Sequence, residues 1–347
     1  MAKRPWADFE AVRSQSFVRD LVPDASEVSP QLLVAMKDYL KSERMAACNG
    51  QDPLRIMLAY AQEEWVYDEN GRLKTAGQIE YLATPRAQRL NVFGLAYRRN
   101  AQFLLHRTLA DIVVGAAIHL YNTQGWTTVL YDGLRTVEGA FKLYHFAIDK
   151  DIADGLLALP GQSAHNKGLA VDSMMMDADG KEVEMGGHFD HLDMATNMRT
   201  YAGNKISAAA KQHRLIREAA FLRSALTQGL LVAPLRSEFW DDRLPENRED
   251  LWRVLDSAAR IMGITLLSEQ DLSLRKSDRA AFAKTWETWN YRDFLTKWEY
   301  CFRGREQALE ATLGVTLPPA KERAEFYHGN VHPIYDRDLR TSGKNLT

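Results

Sequence analysis

The sequence predicts an α+β fold: a small antiparallel sheet flanked by helices, with helical extensions on both sides. Three observations predict it. Between residues 103 and 233, β-branched and aromatic runs alternate with long segments of helical periodicity. One of those runs, 169–176, is followed at once by the turn signal Asp177-Ala178-Asp179-Gly180. The flanks carry amphipathic pieces without strand-like alternation. The organisation read from this is a helical N-terminal extension over 1–80, a core over 81–245, and a helical C-terminal extension and tail over 246–347.

The elements follow in order. Gln31 to Lys41 and Leu54 to Tyr67 read as short amphipathic helices. From Phe103 to Tyr121, Leu104, Leu105, Leu109, Ile112, Val113, Ala116 and Leu120 recur at three- and four-residue intervals, which predicts a long helix ended by Gly125. Trp126 to Tyr131 lies between Gly125 and Gly133 and predicts a strand. Leu169 to Met176 predicts a second strand, turning at 177–180 into a returning strand over Glu182 to Met185. Periodicity resumes over His213 to Gln228, and Leu230 to Ala233 is another short apolar run. Beyond Pro245 the pattern is helical and rich in Trp, over Leu251 to Met262 and Arg279 to Arg303.

Composition narrows the function. Of 347 residues, 46% are hydrophobic and 26% charged, so the chain can bury a sizeable core. The formal charge of −2, from 44 basic and 46 acidic side chains, supplies no field for nucleic acid or an anionic membrane. The expected partner is a small molecule, with the oligomeric state open. Cys48 and Cys301 form no metal or disulfide framework. With no apolar leader and no apolar run near the roughly 18 residues of a membrane span, a cytoplasmic protein is expected.

The chemistry concentrates in Ser163-Ala-His165-Asn-Lys-Gly-Leu-Ala-Val-Asp172. A histidine in a turn and an aspartate inside the following strand can converge on one point, and imidazole with carboxylate is a suitable zinc pair. His106, His119 and His145 are read as packing or surface residues. His188 and His191 flank Asp190 and are not read as a second metal site.

Further ordered motifs accompany this one. They are Asn91-Val-Phe-Gly94, Leu104-Leu-His-Arg107, Tyr131-Asp-Gly-Leu-Arg135, Met185-Gly-Gly-His-Phe-Asp190 and Ser237-Glu-Phe-Trp-Asp241. In this set, over roughly 81–242, the chain resembles the D-alanyl-D-alanine dipeptidases, a group of zinc D,D-peptidases. The resemblance implies a zinc D,D-peptidase-like core. It also implies that His165 and Asp172 bind one divalent metal, that Glu238 is the general base acting on the metal-bound water, and that Arg135 stabilises the oxyanion. Ser163, Asp190 and Tyr81 would hold a small dipeptide substrate, Asp190 through its free amino terminus.

One position departs from the family pattern. Where the family carries a third ligand histidine, three residues after the base, this chain has Asp241. A His, Asp, Asp set is the expectation, and a second carboxylate should make the bound water less acidic. Zinc is the expected metal, and the harder oxygen donors widen the choice to Mn, Fe or Co. Asp242 is the alternative ligand, although neighbours in a strand face opposite sides.

The function expected is metal-dependent hydrolysis of D-alanyl-D-alanine or a related dipeptide. Two alternatives stand beside it: an amidase or peptidase acting on another small amino-acid conjugate, and a pseudoenzyme that keeps the pocket for binding.

Overall fold

The computed structural model describes residues 33–39, 52–59, 102–135, 139, 140, 143, 163–189, 206–235, 237–246, 248–263 and 306–317. They fall into two compact units. The first comprises Met1–Asp111, Gln124–Val183 and His188–Asp190, and the second Ile112–Thr123, Glu184–Gly187 and His191–Thr347.

In the first unit, strand β1 (Leu33–Ala35) runs into a four-residue helix α1 (Met36–Tyr39) and pairs antiparallel with β3 (Leu104–His106). Strand β2 (Leu54–Ile56) lies parallel to β4 (Thr127–Asp132), and β4 pairs antiparallel with β5 (Ala170–Met176). Every residue of β5 is buried, as expected of a strand covered on both faces.

The α+β class and a small antiparallel pairing are therefore present, with three differences from the sequence reading. The segments 31–41 and 54–67 were expected to be helices, yet 33–35 and 54–56 are strands. Three-residue segments carry little propensity of their own, and pairing with β3 and β4 decides their state. The long helix starts at Arg107, because Leu104–His106 is taken up by β1. The returning strand after Gly180 is reduced to one bridge, Met176 with Glu182. The turn itself forms where expected: Asp177 Oδ1 accepts from the backbone N–H of Asp179 at 3.0 Å and of Lys181 at 2.8 Å.

Helix α2 (Arg107–Gln124) ends against Gly125 at φ 69°, and the predicted apolar face is buried from Leu109 to Leu120. Its residues 112–123 belong to the second unit. There Ser224 Oγ donates to the Ile112 carbonyl at 2.8 Å, tying α2 to helix α3 (Ala208–Thr227). Ser207 caps α3, its side chain accepting from the Ala210 N–H at 3.0 Å. Strands β6 (Ala233–Pro234) and β7 (Asp241–Arg243) pair antiparallel. Helices α4 (Arg248–Ile261) and α5 (Glu306–Leu313) complete the unit.

The second core is made by Leu222 and Leu226 of α3, Val254, Leu255 and Ala258 of α4, and Leu309 and Leu313 of α5. Each fully buried leucine there contributes about 1.5–3 kcal/mol. Segment 279–303, expected to be helical, lies outside the described residues. No helix among the described residues is long and apolar enough to cross a membrane.

Candidate metal centre

The first unit brings two carboxylates face to face. From Thr127 to Leu130 the β4–β5 register advances one residue at a time, and a shift between Leu130 and Asp132 then sets Asp132 opposite Asp172. A regular ladder would have placed Tyr131 there, so the irregularity aims the aspartate at its partner. Both residues are buried, Asp132 completely. Like charges directly opposite each other destabilise a sheet, so the pair requires positive charge nearby.

Arg135 supplies part of it. Its Nε and Nη2 donate to Asp132 Oδ2 at 2.9 and 2.5 Å, and Nη2 lies 4.0 Å from Asp172 Oδ2. Asp132 Oδ1 accepts from the Gly133 N–H at 3.0 Å. Both oxygens of Asp132 are thus engaged in fixing the turn and the arginine.

His165 arrives from a 3₁₀ turn, Ala164–Lys167. Ser163 caps it: its Oγ accepts from the His165 N–H at 3.2 Å, and its own N–H donates to Asn166 Oδ1 at 3.3 Å. Gly168 closes the turn at φ 69°, where a side chain would be strained. Three bonds knit this turn to the Asp132–Arg135 segment. The Arg135 N–H donates to the His165 carbonyl at 2.9 Å, Asn166 Nδ2 donates to the Arg135 carbonyl at 2.8 Å, and His165 Nδ1 meets the Gly133 carbonyl at 2.9 Å. Gly133 must be glycine, since a Cβ would stand 2.7 Å from the Leu104 carbonyl oxygen.

A carbonyl can only accept, so His165 carries its proton on Nδ1. Nε2 is then the basic nitrogen, 3.6 Å from Asp172 Oδ1. Two ligand atoms each about 2.0–2.2 Å from a tetrahedral zinc stand about 3.4 Å apart, so this spacing suits a shared ion. Asp132, His165 and Asp172 each offer a ligand atom within 4.8 Å of the others, and all three are buried. Two carboxylates, Asp132 and Asp172, face one guanidinium, Arg135, and a cation held between carboxylate and imidazole would offset the acidic excess. The donor set fits a divalent metal. The backing of a ligand imidazole by a carbonyl is the usual way of fixing its tautomer.

The remaining predicted residues lie in the second unit or outside the described residues. Glu238 is partly buried, and its Oε2 accepts from Trp240 Nε1 at 3.1 Å. Asp241 and Asp242 face opposite sides of β7, as alternation requires. Asp241 pairs with Arg243 on its own side, and Asp242 Oδ2 with the buried Arg217 Nη2 at 2.6 Å. Burial works against the charged form of Arg243. The Asp241 carboxylate outweighs it by charge and hydrogen bond, helped by Asp250 and Glu238, and the pKa of Arg243 is raised. Asp242, the alternative ligand, is thus occupied with Arg217.

Tyr81 and Asp190 lie outside the described residues, as do His145 and His191. His106 is fully buried, with Nδ1 accepting from the Thr108 N–H at 3.2 Å. His188 is exposed beside Glu182 at 3.0 Å. The residue that sequence reasoning left without a role is Asp132. Its signal was an acidic residue closing an apolar strand immediately before a glycine.

No family model matches this chain. It is similar to a D-alanyl-D-alanine dipeptidase of Escherichia coli (strain K12), with 27% identity over 157 residues that cover 45% of this chain and 74% of that protein. That likeness supports a hydrolase of the dipeptidase kind, and the buried Asp132, His165 and Asp172 could hold a metal ion.

Proposed function

We propose that this protein hydrolyses D-alanyl-D-alanine or a closely related small dipeptide with the help of one divalent metal. The observation that carries the reading is the His165 and Asp172 pair: a basic Nε2 and a carboxylate oxygen 3.6 Å apart, with the imidazole fixed by the Gly133 carbonyl. The similarity to the Escherichia coli dipeptidase points to the same chemistry.

His165 and Asp172 would hold the metal, with Asp241 as third ligand on the strength of its motif. A divalent ion so held supplies Lewis acidity and lowers the pKa of water toward neutrality. Zinc is the first choice, and Mn, Fe or Co suit the oxygen-rich donors. The Glu238 carboxylate would accept a proton from the attacking water and return it to the leaving amine. The Arg135 guanidinium, anchored on Asp132, would meet the negative charge that develops on the scissile carbonyl oxygen. Ser163, Asp190 and Tyr81 would orient the dipeptide, Asp190 by pairing with its ammonium group.

The test is metal analysis of the purified protein together with an assay on D-alanyl-D-alanine and its N-acetylated form. Stoichiometric divalent metal and cleavage of the free dipeptide alone are expected. Cleavage of the N-acetylated compound in preference would favour an amidase acting on another small conjugate, and protein without metal or hydrolysis would leave a binding module.

A further inference from the structure

The segment that carries Glu238 is held by an unusual amount of buried charge. Arg214 and Arg217, three residues apart on one face of α3, are among the largest fully buried side chains. Arg214 Nε donates to the Met185 carbonyl at 2.6 Å, and its guanidinium lies 3.8 Å over the Phe239 ring. Arg217 Nη2 donates to the Trp240 carbonyl at 2.8 Å and pairs with Asp242. The Phe239 and Trp240 rings meet edge to face at 4.8 Å. Burying an ion costs several kcal/mol before its partners repay it, so apolar side chains would fill this space at lower cost. What the two arginines add is a fixed placement for residues 239–242.

The end of that chain of contacts is Glu238. The Trp240 indole N–H donates to Glu238 Oε2 at 3.1 Å, and Trp240 is itself 2% exposed. A carboxylate on a partly open segment has several rotamers of similar energy. A buried indole N–H, whose backbone is clamped by Arg217, selects one of them.

We propose that Trp240 is a positioning residue for the Glu238 carboxylate, held in place by Arg217. The idea rests on the reading of Glu238 as the general base. Misplacing a reacting group by about 1 Å can cost on the order of 100-fold in rate.

The test combines spectroscopy and kinetics on the full chain. With ¹⁵N-labelled tryptophan, the Trp240 indole resonance is identified by its loss in Trp240→Phe. It is expected to move in Glu238→Ala and in Arg217→Lys. In the assay, Trp240→Phe should lower kcat by about 10- to 100-fold with KM within about twofold. In a Glu238→Ala background the same substitution should cost nothing further. Arg217→Lys, which keeps the charge but loses the planar fork, should give a smaller fall with the same dependence on Glu238, and it decides the matter if Trp240→Phe does not fold. An indole resonance indifferent to Glu238→Ala overturns the proposal, as does an equal loss of rate with and without Glu238. If Glu238→Ala itself leaves turnover unchanged, the assignment of the base is what fails.

Discussion

His165 and Gly133 stand 32 positions apart in sequence and meet at 2.9 Å, imidazole Nδ1 to carbonyl oxygen. That one bond fixes the tautomer and leaves Nε2 toward Asp172. If the proposed function holds, removing Nε2 should remove the metal. His165→Ala and Asp172→Asn are each expected to lose bound divalent metal and hydrolysis together, and metal analysis on matched preparations checks it. Full occupancy in His165→Ala would falsify the pairing.

Asp132 anchors Arg135 in a nearly dry environment. Asp132→Ala leaves the guanidinium buried without its main carboxylate, which costs about 3–5 kcal/mol for a broken buried pair. A large drop in the urea midpoint is expected, and an unchanged midpoint would show that Arg135 can reach water. Asp132→Asn retains an acceptor for Arg135 and should lose less.

Glu238→Ala is expected to reduce hydrolysis by about 10²–10⁴-fold while bound metal stays near the wild-type level. The reason is that, in the proposed mechanism, Glu238 takes a proton and is not counted among the ligands. Parallel loss of metal would instead place Glu238 in the coordination sphere.

Asp241 has one observed role, pairing with Arg243, and one proposed role, to be separated. Asp241→Ala leaves Arg243 without its strand partner, so lower stability is expected whatever the metal does. Loss of bound metal as well would support its assignment as third ligand. Asp241→His should keep the metal, narrow the preference toward zinc, and lower the pH optimum. Metal retained in Asp241→Ala would exclude the ligand role.

Two histidines should tilt stability in opposite directions with pH. The hydrogen bond to Glu182 raises the pKa of His188 above its ordinary value, and the Glu182 charge adds to it. This contribution is full below the unfolded pKa of about 6.5 and fades as pH rises through the folded value. His188 is exposed, so about 0.5 kcal/mol or less is at stake. Burial, and then the Arg223 charge, lower the pKa of half-buried His119. Its contribution is full above about pH 6.5 and is lost as pH falls through the folded value. Urea midpoints at about pH 5 and pH 8.5 should therefore show His188→Gln weaker only on the acid side. His119→Gln should lose less stability on acidification than wild type.

Much of the architecture was legible because periodicity is a local property. The faces of α2 and α4, the strand after Gly125 and the turn at Asp177–Gly180 all follow from residues within one or two turns of each other. The strands at 33–35 and 54–56 were not legible. Three residues fit either state, and partners about 70 positions away settled it.

The sequence by itself determined which side chains are candidates for the proposed chemistry: the His165 to Asp172 spacing, the Asp132-Gly-Leu-Arg135 motif and the Asp at 241 are all written in the chain. It also determined that Asp241 and Asp242 would diverge, since alternation is a property of any strand. Only the tertiary structure decided that Asp132 faces Asp172, because the register shift in β4 arises from pairing with β5. It alone decided that a backbone carbonyl orients His165, and that Asp242 spends its charge on Arg217. Such contacts join residues 25 to 40 positions apart, and their energy depends on burial and mutual geometry, which a linear pattern does not encode.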